Sequence, residues 1–355
     1  MTEITFASIF NPMRVGLGII AVSLLLLMGC GTEPEYPVEA PECTLYWISF
    51  REGPPNIWMM DFPKGKPRRF TDFTLGCGRW GFDISPSGEC FVTVQIGSDW
   101  NIFRVSNPCG APVQITFESQ YDGEHAISPL GDRVCFVTKR WYFDIYDREL
   151  AIMGIDGSNL SRVTVWRGSD DSPAWSPDGT KIAFVREMSY GQYAIMMKNI
   201  DTPDTAIMLT DPLNYAYNPI WTPDGNSIIC VMTVNGVRDI FRVPIDGGSA
   251  ENITQTIWSD EGPALSPCGG LVAHRVYRSG RWDIAVTRID GSSTWFLTDD
   301  PKEDLSPCWS PDGSWVFWVG QVDGDREIFG APADGGFEPY RITNSPNDDI
   351  RVICR

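Results

Sequence analysis

A chain of 355 residues that is 43% hydrophobic can bury a large core, and its 14 Trp, 18 Phe and 11 Tyr favour strands over helices. The formal charge is −18, and it does not change when residues 1–29 are left out, because Glu3 and Arg14 cancel. Such a surface repels phosphate backbones and anionic headgroups, which excludes nucleic acid as an expected partner and leaves cations or a basic protein face.

Residues 15–28 form an apolar run preceded by Arg14 and followed by Gly29-Cys30-Gly31. Fourteen helical residues reach about 21 Å, short of the roughly 30 Å of a hydrocarbon core, so the run is expected to be the apolar region of a signal peptide. Leu27-Met28-Gly29-Cys30 resembles the bacterial lipobox, which implies a lipid on Cys30 and a membrane contact through that anchor alone. Residues 1–29 are then the signal peptide, with Met13 as an alternative start. Residues 30–42 are the lipidated cysteine and a stiff Pro/Glu-rich tether. The expected location is the cell envelope; in a Gram-negative host it is the outer membrane facing the periplasm, because Gly31 carries no retention signal of the aspartate kind.

From residue 43 onward one unit repeats. Ser85-Pro-Ser-Gly, Ser128-Pro-Leu-Gly, Ser176-Pro-Asp-Gly, Thr222-Pro-Asp-Gly, Ser266-Pro-Cys-Gly and Ser310-Pro-Asp-Gly are spaced by 43 to 48 residues, the period of a four-stranded propeller blade. Each is a tight turn between two strands, with Pro fixing φ and Gly taking the positive φ. A third strand follows, then a second turn at Asp-Gly (Asp156, Asp246, Asp290, Asp334), then a short fourth strand ending in Thr. That Thr recurs at 71, 116, 164, 210, 254, 298 and 343 and counts seven blades. The first unit holds only three strands, near 44–50, 56–61 and 68–71, while residues 348–355 match an inner strand without a unit of its own. The expected fold is therefore an all-β, seven-bladed β-propeller over 43–355, with the carboxy-terminal strand completing the first blade; six blades is the alternative if one unit is degenerate.

The pattern Asp-x-x-Pro-x-Trp-Ser-Pro-Asp-Gly-x-x-Ile-x-Phe, nearly whole at residues 170–184 and 304–318, resembles the TolB-type (WD40-like) propeller repeat. That resemblance implies the fold, and a function among periplasmic scaffolds, peptidase accessory domains and some sugar-active enzymes. The 42 residues before the first repeat leave no room for the amino-terminal α/β domain of the Tol-system protein itself.

Ten cysteines include no Cys-x-x-Cys, against zinc ribbons and thioredoxin chemistry. Aligning the terminal strand on the fourth unit sets Cys354 at the place of Ser176 and Cys43 at that of Thr180, so a Cys43–Cys354 disulfide closing the ring is expected. Cys135, Cys230 and Cys308 occupy strand positions and are expected to pack as small hydrophobes.

Only two histidines exist, which leaves little for triad or His-rich metal chemistry. His274 falls in a core column; His125 lies on an inner strand and is a lone candidate base. An acid column opens each inner strand: Asp122, Asp170, Asp260, Asp304 and Asp348, with Arg79 and Ala216 in the other two units and Asp171, Glu261 and Asp349 beside it. Ringed around a channel mouth, these carboxylates would hold Ca²⁺ or a partner's Lys or Arg; as repeat consensus, they would bond to their own backbone. Trp80, Tyr121 and Tyr217 lie near this column, and Tyr-rich segments at 140–148 and 187–193 are candidate contact loops. The expected function is non-enzymatic recognition of a protein or peptide by a propeller face. The alternative is a carbohydrate-binding protein or a metal-assisted, sugar-active enzyme using the acidic mouth.

Overall fold

Each repeat folds as one antiparallel four-stranded sheet, and seven such sheets are present among the described residues. The computed structural model describes residues 40–78, 81–117, 121–141, 147–189, 191–202 and 205–355. The expected signal peptide, Cys30 and most of the tether lie outside them, as do Arg79, Trp80 and much of the 140–148 loop. The inner strands of blades 1 to 7 are Asp349–Cys354, Phe82–Ile84, Asp122–Ile127, Asp170–Trp175, Tyr217–Trp221, Ser259–Leu265 and Asp304–Trp309. Blade 1 has the order Asp349–Cys354, Cys43–Ser49, Asn56–Phe62, Arg68–Arg69, so the carboxy-terminal strand does complete it. The described helix is a single 3-10 turn, Pro212–Asn214.

The repeat consensus maps onto bonds that recur from blade to blade. In all seven units the terminal Thr hydroxyl accepts the backbone N–H that opens the core of the third strand, at 2.8–3.1 Å, from Ile57 to Thr71 through Ile328 to Thr343. The indole N–H of Trp175, Trp221 and Trp309 donates to a carbonyl of the preceding inner strand (Ala126, Ala174, Ala264) at 2.8–3.0 Å, tying neighbouring blades together. In the Ser176 turn, Asp178 accepts from the Ser176 hydroxyl at 2.5 Å and the Thr180 N–H at 3.0 Å, while Gly179 takes φ +68°. These polar groups satisfy one another locally, as turn chemistry requires.

The core divides into seven apolar clusters, one at each seam between adjacent blades. The 1–2 seam holds Ile48, Ile57, Phe82 and Val92, and the 7–1 seam holds Trp47, Phe62, Trp315 and Phe317. Cys135 and Cys230 are buried in seams and Cys308 is partly buried at the 7–1 seam. His274 is fully buried, its Nε2 2.8 Å from the Thr287 hydroxyl.

The register of the terminal strand differs from the sequence alignment by one residue. Asp349 pairs with Ser49 and Cys354 with Leu45, as Asp170 pairs with Arg186 and Trp175 with Ile182. Asp349, and not Asp348, therefore stands in the acid column, and Cys354 corresponds to Trp175 rather than Ser176. The Asp348-Asp349 doublet offered two anchors, and only the bulge that follows distinguishes them. Cys43 and Cys354 remain neighbours across the hairpin: a hydrogen bond between their thiols, together with burial, pushes the Cys354 thiol well above its ordinary value. They stand as unbridged thiols.

Candidate functional site

Inner strands share one local irregularity, and it decides which side chains reach the mouth. Just beyond the column the ladder shifts register, from Asp171 to Ala174 in blade 4 and from Glu261 to Ala264 in blade 6. The residue two beyond the column has positive φ in every blade: Gly81, Glu124, Ser172, Asn218, Gly262, Ser306 and Arg351. Such a bulge bends the strand and re-aims its side chains. Successive inner strands lie side by side around the ring, so the residues just after the column, from neighbouring blades, converge at one mouth.

The column residues themselves turn away into their own blades. Asp122 accepts from the Thr138 hydroxyl and from Arg140, both at 2.6 Å. Asp170 takes Arg186 in a two-point pair at 2.7 Å. Asp260 accepts from Thr256 at 2.7 Å and lies 3.4 Å from His274. Asp304 accepts from the Trp318 indole, and Asp349 from Arg51 at 2.6 Å. Each is at most 5% exposed. Burial raises the carboxyls of Asp170 and Asp349 above the ordinary range, against their arginines. Asp348 accepts the Arg326 backbone N–H. Among the described residues no three His, Cys, Asp or Glu side chains gather as a metal-holding group, so the structure does not bring the column together as a Ca²⁺ funnel. His125 is engaged as well, with Nε2 2.9 Å from the Phe91 carbonyl and Nδ1 3.4 Å from Thr93, and burial lowers its pKa.

What does gather is a pocket of about 820 Å³ at the mouth, built from inner strands of blades 3 to 6 and the loops beside them. Three tyrosines stand edge to face: Tyr193 and Tyr215 at 4.9 Å between ring centroids, Tyr215 and Tyr217 at 5.7 Å. Tyr215 closes the 3-10 turn with φ +40°, which presents its ring on the connector between blades 4 and 5. On one wall Arg148 reaches Asp171 at 2.7 Å and Glu124 at 3.7 Å. On the other, Glu261 receives both Arg238 and Arg275, and Arg275 lies 4.4 Å over the Trp282 ring. Asp171 Oδ1 has no hydrogen-bond partner, and burial pushes this carboxyl up to about 7 despite Arg148. Burial and the Glu261 charge push the Tyr217 hydroxyl up to about 12. Tyr121 packs in the seam between blades 3 and 4, and its hydroxyl donates to Glu124 of the pocket wall at 3.4 Å. Around the same mouth the connectors expose apolar side chains: Leu75, Phe117, Val165, Leu213 and Ile257 follow five of the seven terminal threonines.

Residues 131–281 match the TolB beta propeller domain family. A protein TolB homolog of Chlorobium luteolum is 33% identical over 167 residues, 47% of this chain and 36% of its own length. TolB from Acinetobacter baumannii superposes with a TM-score of 0.57 at 17% identity, over 87% of this chain and 82% of that one. The chain has the fold of a TolB-type β-propeller and, over residues 131–281, the sequence pattern of that domain family. It spans between 28 and 56% of the length of the curated relatives it matches. A puromycin-hydrolyzing peptidase of Mycobacterium tuberculosis shares the fold with a TM-score of 0.69 at 14% identity, over 87% of this chain and 54% of that one. The TolB-type fold thus accompanies enzymes as well as TolB proteins, and function has to be read from the site.

In this TolB-type propeller, Tyr217, Asp171, Glu261 and the segments carrying Arg148 and Tyr193 were legible as candidates, whereas Tyr215, Arg238, Arg275 and Glu124 were not. The available signal for Glu124 was its place two beyond Asp122, equivalent to Ser172 in Asp170-x-x-Pro173.

Proposed function

We propose that this is an exported, envelope-associated, non-enzymatic recognition protein that binds a protein or peptide in the tyrosine pocket. The observation that carries this reading is the Tyr193–Tyr215–Tyr217 cluster between two arginine–carboxylate walls, inside a rim of exposed apolar side chains. Rigid aromatic faces beside fixed donors and acceptors are what peptide contacts use, and grouped exposed apolar residues mark interaction surfaces. Similarity to the TolB proteins supports a protein-interaction role. Cys30→Ser is expected to move the chain out of the membrane fraction; retention of that variant counts against the anchor.

A second reading, a carbohydrate-binding or sugar-active site, is favoured by one observation: Asp171, raised to about 7, sits beside tyrosines as a sugar-handling acid would. Panning a random peptide library against the full chain separates the two. Enriched peptides whose binding falls at least about tenfold with Tyr215→Ala or Tyr217→Ala support peptide recognition. No enrichment, together with Asp171-dependent glycan binding or cleavage, replaces it with the second reading.

A further inference from the structure

Blade 7 departs from the ring at the acid column. In blades 1, 3 and 4 an arginine of the same blade meets the column carboxylate, and in blade 6 a histidine lies beside it. In blade 7 the residue paired with Asp304 is Gly320, and the bond Asp304 receives is the Trp318 indole N–H at 3.0 Å to Oδ1. A side chain at position 320 has no room: a Cβ there would lie 2.7 Å from Asp304 Oδ1 and 2.8 Å from the Phe329 ring. Asp304 is 5% exposed, yet its Oδ2 has no hydrogen-bond partner. Burial pushes the carboxyl up to about 7; the neighbouring Thr298 and Trp318 offset this in part, and the charges of Asp300 and Asp283 add to it. A buried carboxylate without a cation is a costly state in a fold that supplies a basic partner to the other acids of the column.

Beside it lies a cleft of about 500 Å³ between blades 6 and 7, lined by Asp304, Phe296, Trp318, Phe329 and Phe337, with Asp300 at its edge. It shares no lining residue with the tyrosine pocket. The molecule already shows the chemistry this wall accepts, since the Arg278 guanidinium lies 4.0 Å over the Phe296 ring. We propose that this cleft binds an organic cation, an alkylammonium or alkylguanidinium group whose charge meets Asp304 and whose carbon chain lies against Trp318, Phe329 and Phe337. Cation–π attraction and a desolvated carboxylate act together there, as the absent arginine would have done. The group could belong to a free amine or to a basic side chain.

The test is calorimetric titration of the full chain with butylammonium, butylguanidinium and neutral butanol at fixed ionic strength, repeated with blocked Gly-Lys-Gly and Gly-Arg-Gly tripeptides. Saturable binding of the cations and not of butanol is expected, weakened at least about tenfold in Asp304→Asn and about threefold in Phe337→Ala. Phe337 is 57% exposed, so its variant keeps the test open if Asp304→Asn folds poorly. Tripeptides binding more tightly than the free cations would assign the site to a basic side chain, and the reverse order to a small amine. Absence of saturable cation binding, or binding unchanged in both variants, overturns the proposal.

Discussion

The two faces of the ring treat their acids in opposite ways. On the face of the Ser-Pro-Asp-Gly and Asp-Gly turns, Asp156, Asp178, Asp224, Asp290 and Asp312 are held below the ordinary carboxylate range by hydroxyl and backbone N–H donors. On the face where inner strands begin, burial raises Asp170, Asp171, Asp304 and Asp349 above it. The first face is stereotyped and satisfies itself. The second contains the bulges, the tyrosines, the exposed apolar rim and the carboxylate oxygens of Asp171, Asp260, Asp304 and Asp349 that have no hydrogen-bond partner. In a repeat protein, consensus residues serve the repeat, and departures from consensus are where a partner can be served.

The largest expected effect lies at the clasp. If Cys43 and Cys354 bridge on oxidation, the chain-entropy picture gives up to about 5–6 kcal/mol for so long a loop. Reductant should then lower the unfolding midpoint of the wild type and leave Cys354→Ser unmoved; equal midpoints with and without reductant, and no bridged peptide by mass spectrometry, would exclude the bond. Next comes Arg186→Ala, which strands the fully buried Asp170 and should cost about 3–5 kcal/mol in denaturant unfolding. A loss under about 1 kcal/mol would mean the column is not held by its arginines.

Acidity sharpens the contrast further. A carboxyl raised in the folded state contributes stability below its unfolded pKa and loses it as pH rises through the folded one. Asp171 and Asp304 should therefore make stability fall between about pH 4 and 7, by up to about 1.4 kcal/mol per pH unit for each. Asp171→Asn and Asp304→Asn should each flatten that slope. The turn aspartates act in the other sense, losing their contribution as pH falls below about 4. The smallest effect belongs to single exposed sites. Asp178→Ala should cost roughly 0.5–1 kcal/mol without touching ligand binding, and Tyr215→Ala about as little while removing it.

Fold was legible in the sequence because propeller blades are punctuated locally. Pro and Gly set the turns, and the terminal Thr meets the same backbone N–H seven times, so spacing alone counted the blades. The clasp register slipped because Asp348 and Asp349 are equivalent to a reader of residue types; the positive φ at Arg351 that separates them is a property of the folded strand. Asp170 was visible as an acid, but its burial against Arg186 sixteen residues on was not. The pocket was least legible, since Tyr215 comes from a connector and Arg238 from a third strand, and only closure of the ring brings them beside Asp171.

The most direct test of the mouth as the recognition face is site-specific photo-crosslinking in the native cell. A photoreactive phenylalanine analogue would replace Tyr215 at the mouth or, on the turn face, Leu130, which is 68% exposed. A discrete protein adduct from position 215 and none from position 130 is the expected result. Adducts from position 130 alone would place recognition on the other face and contradict the assignment.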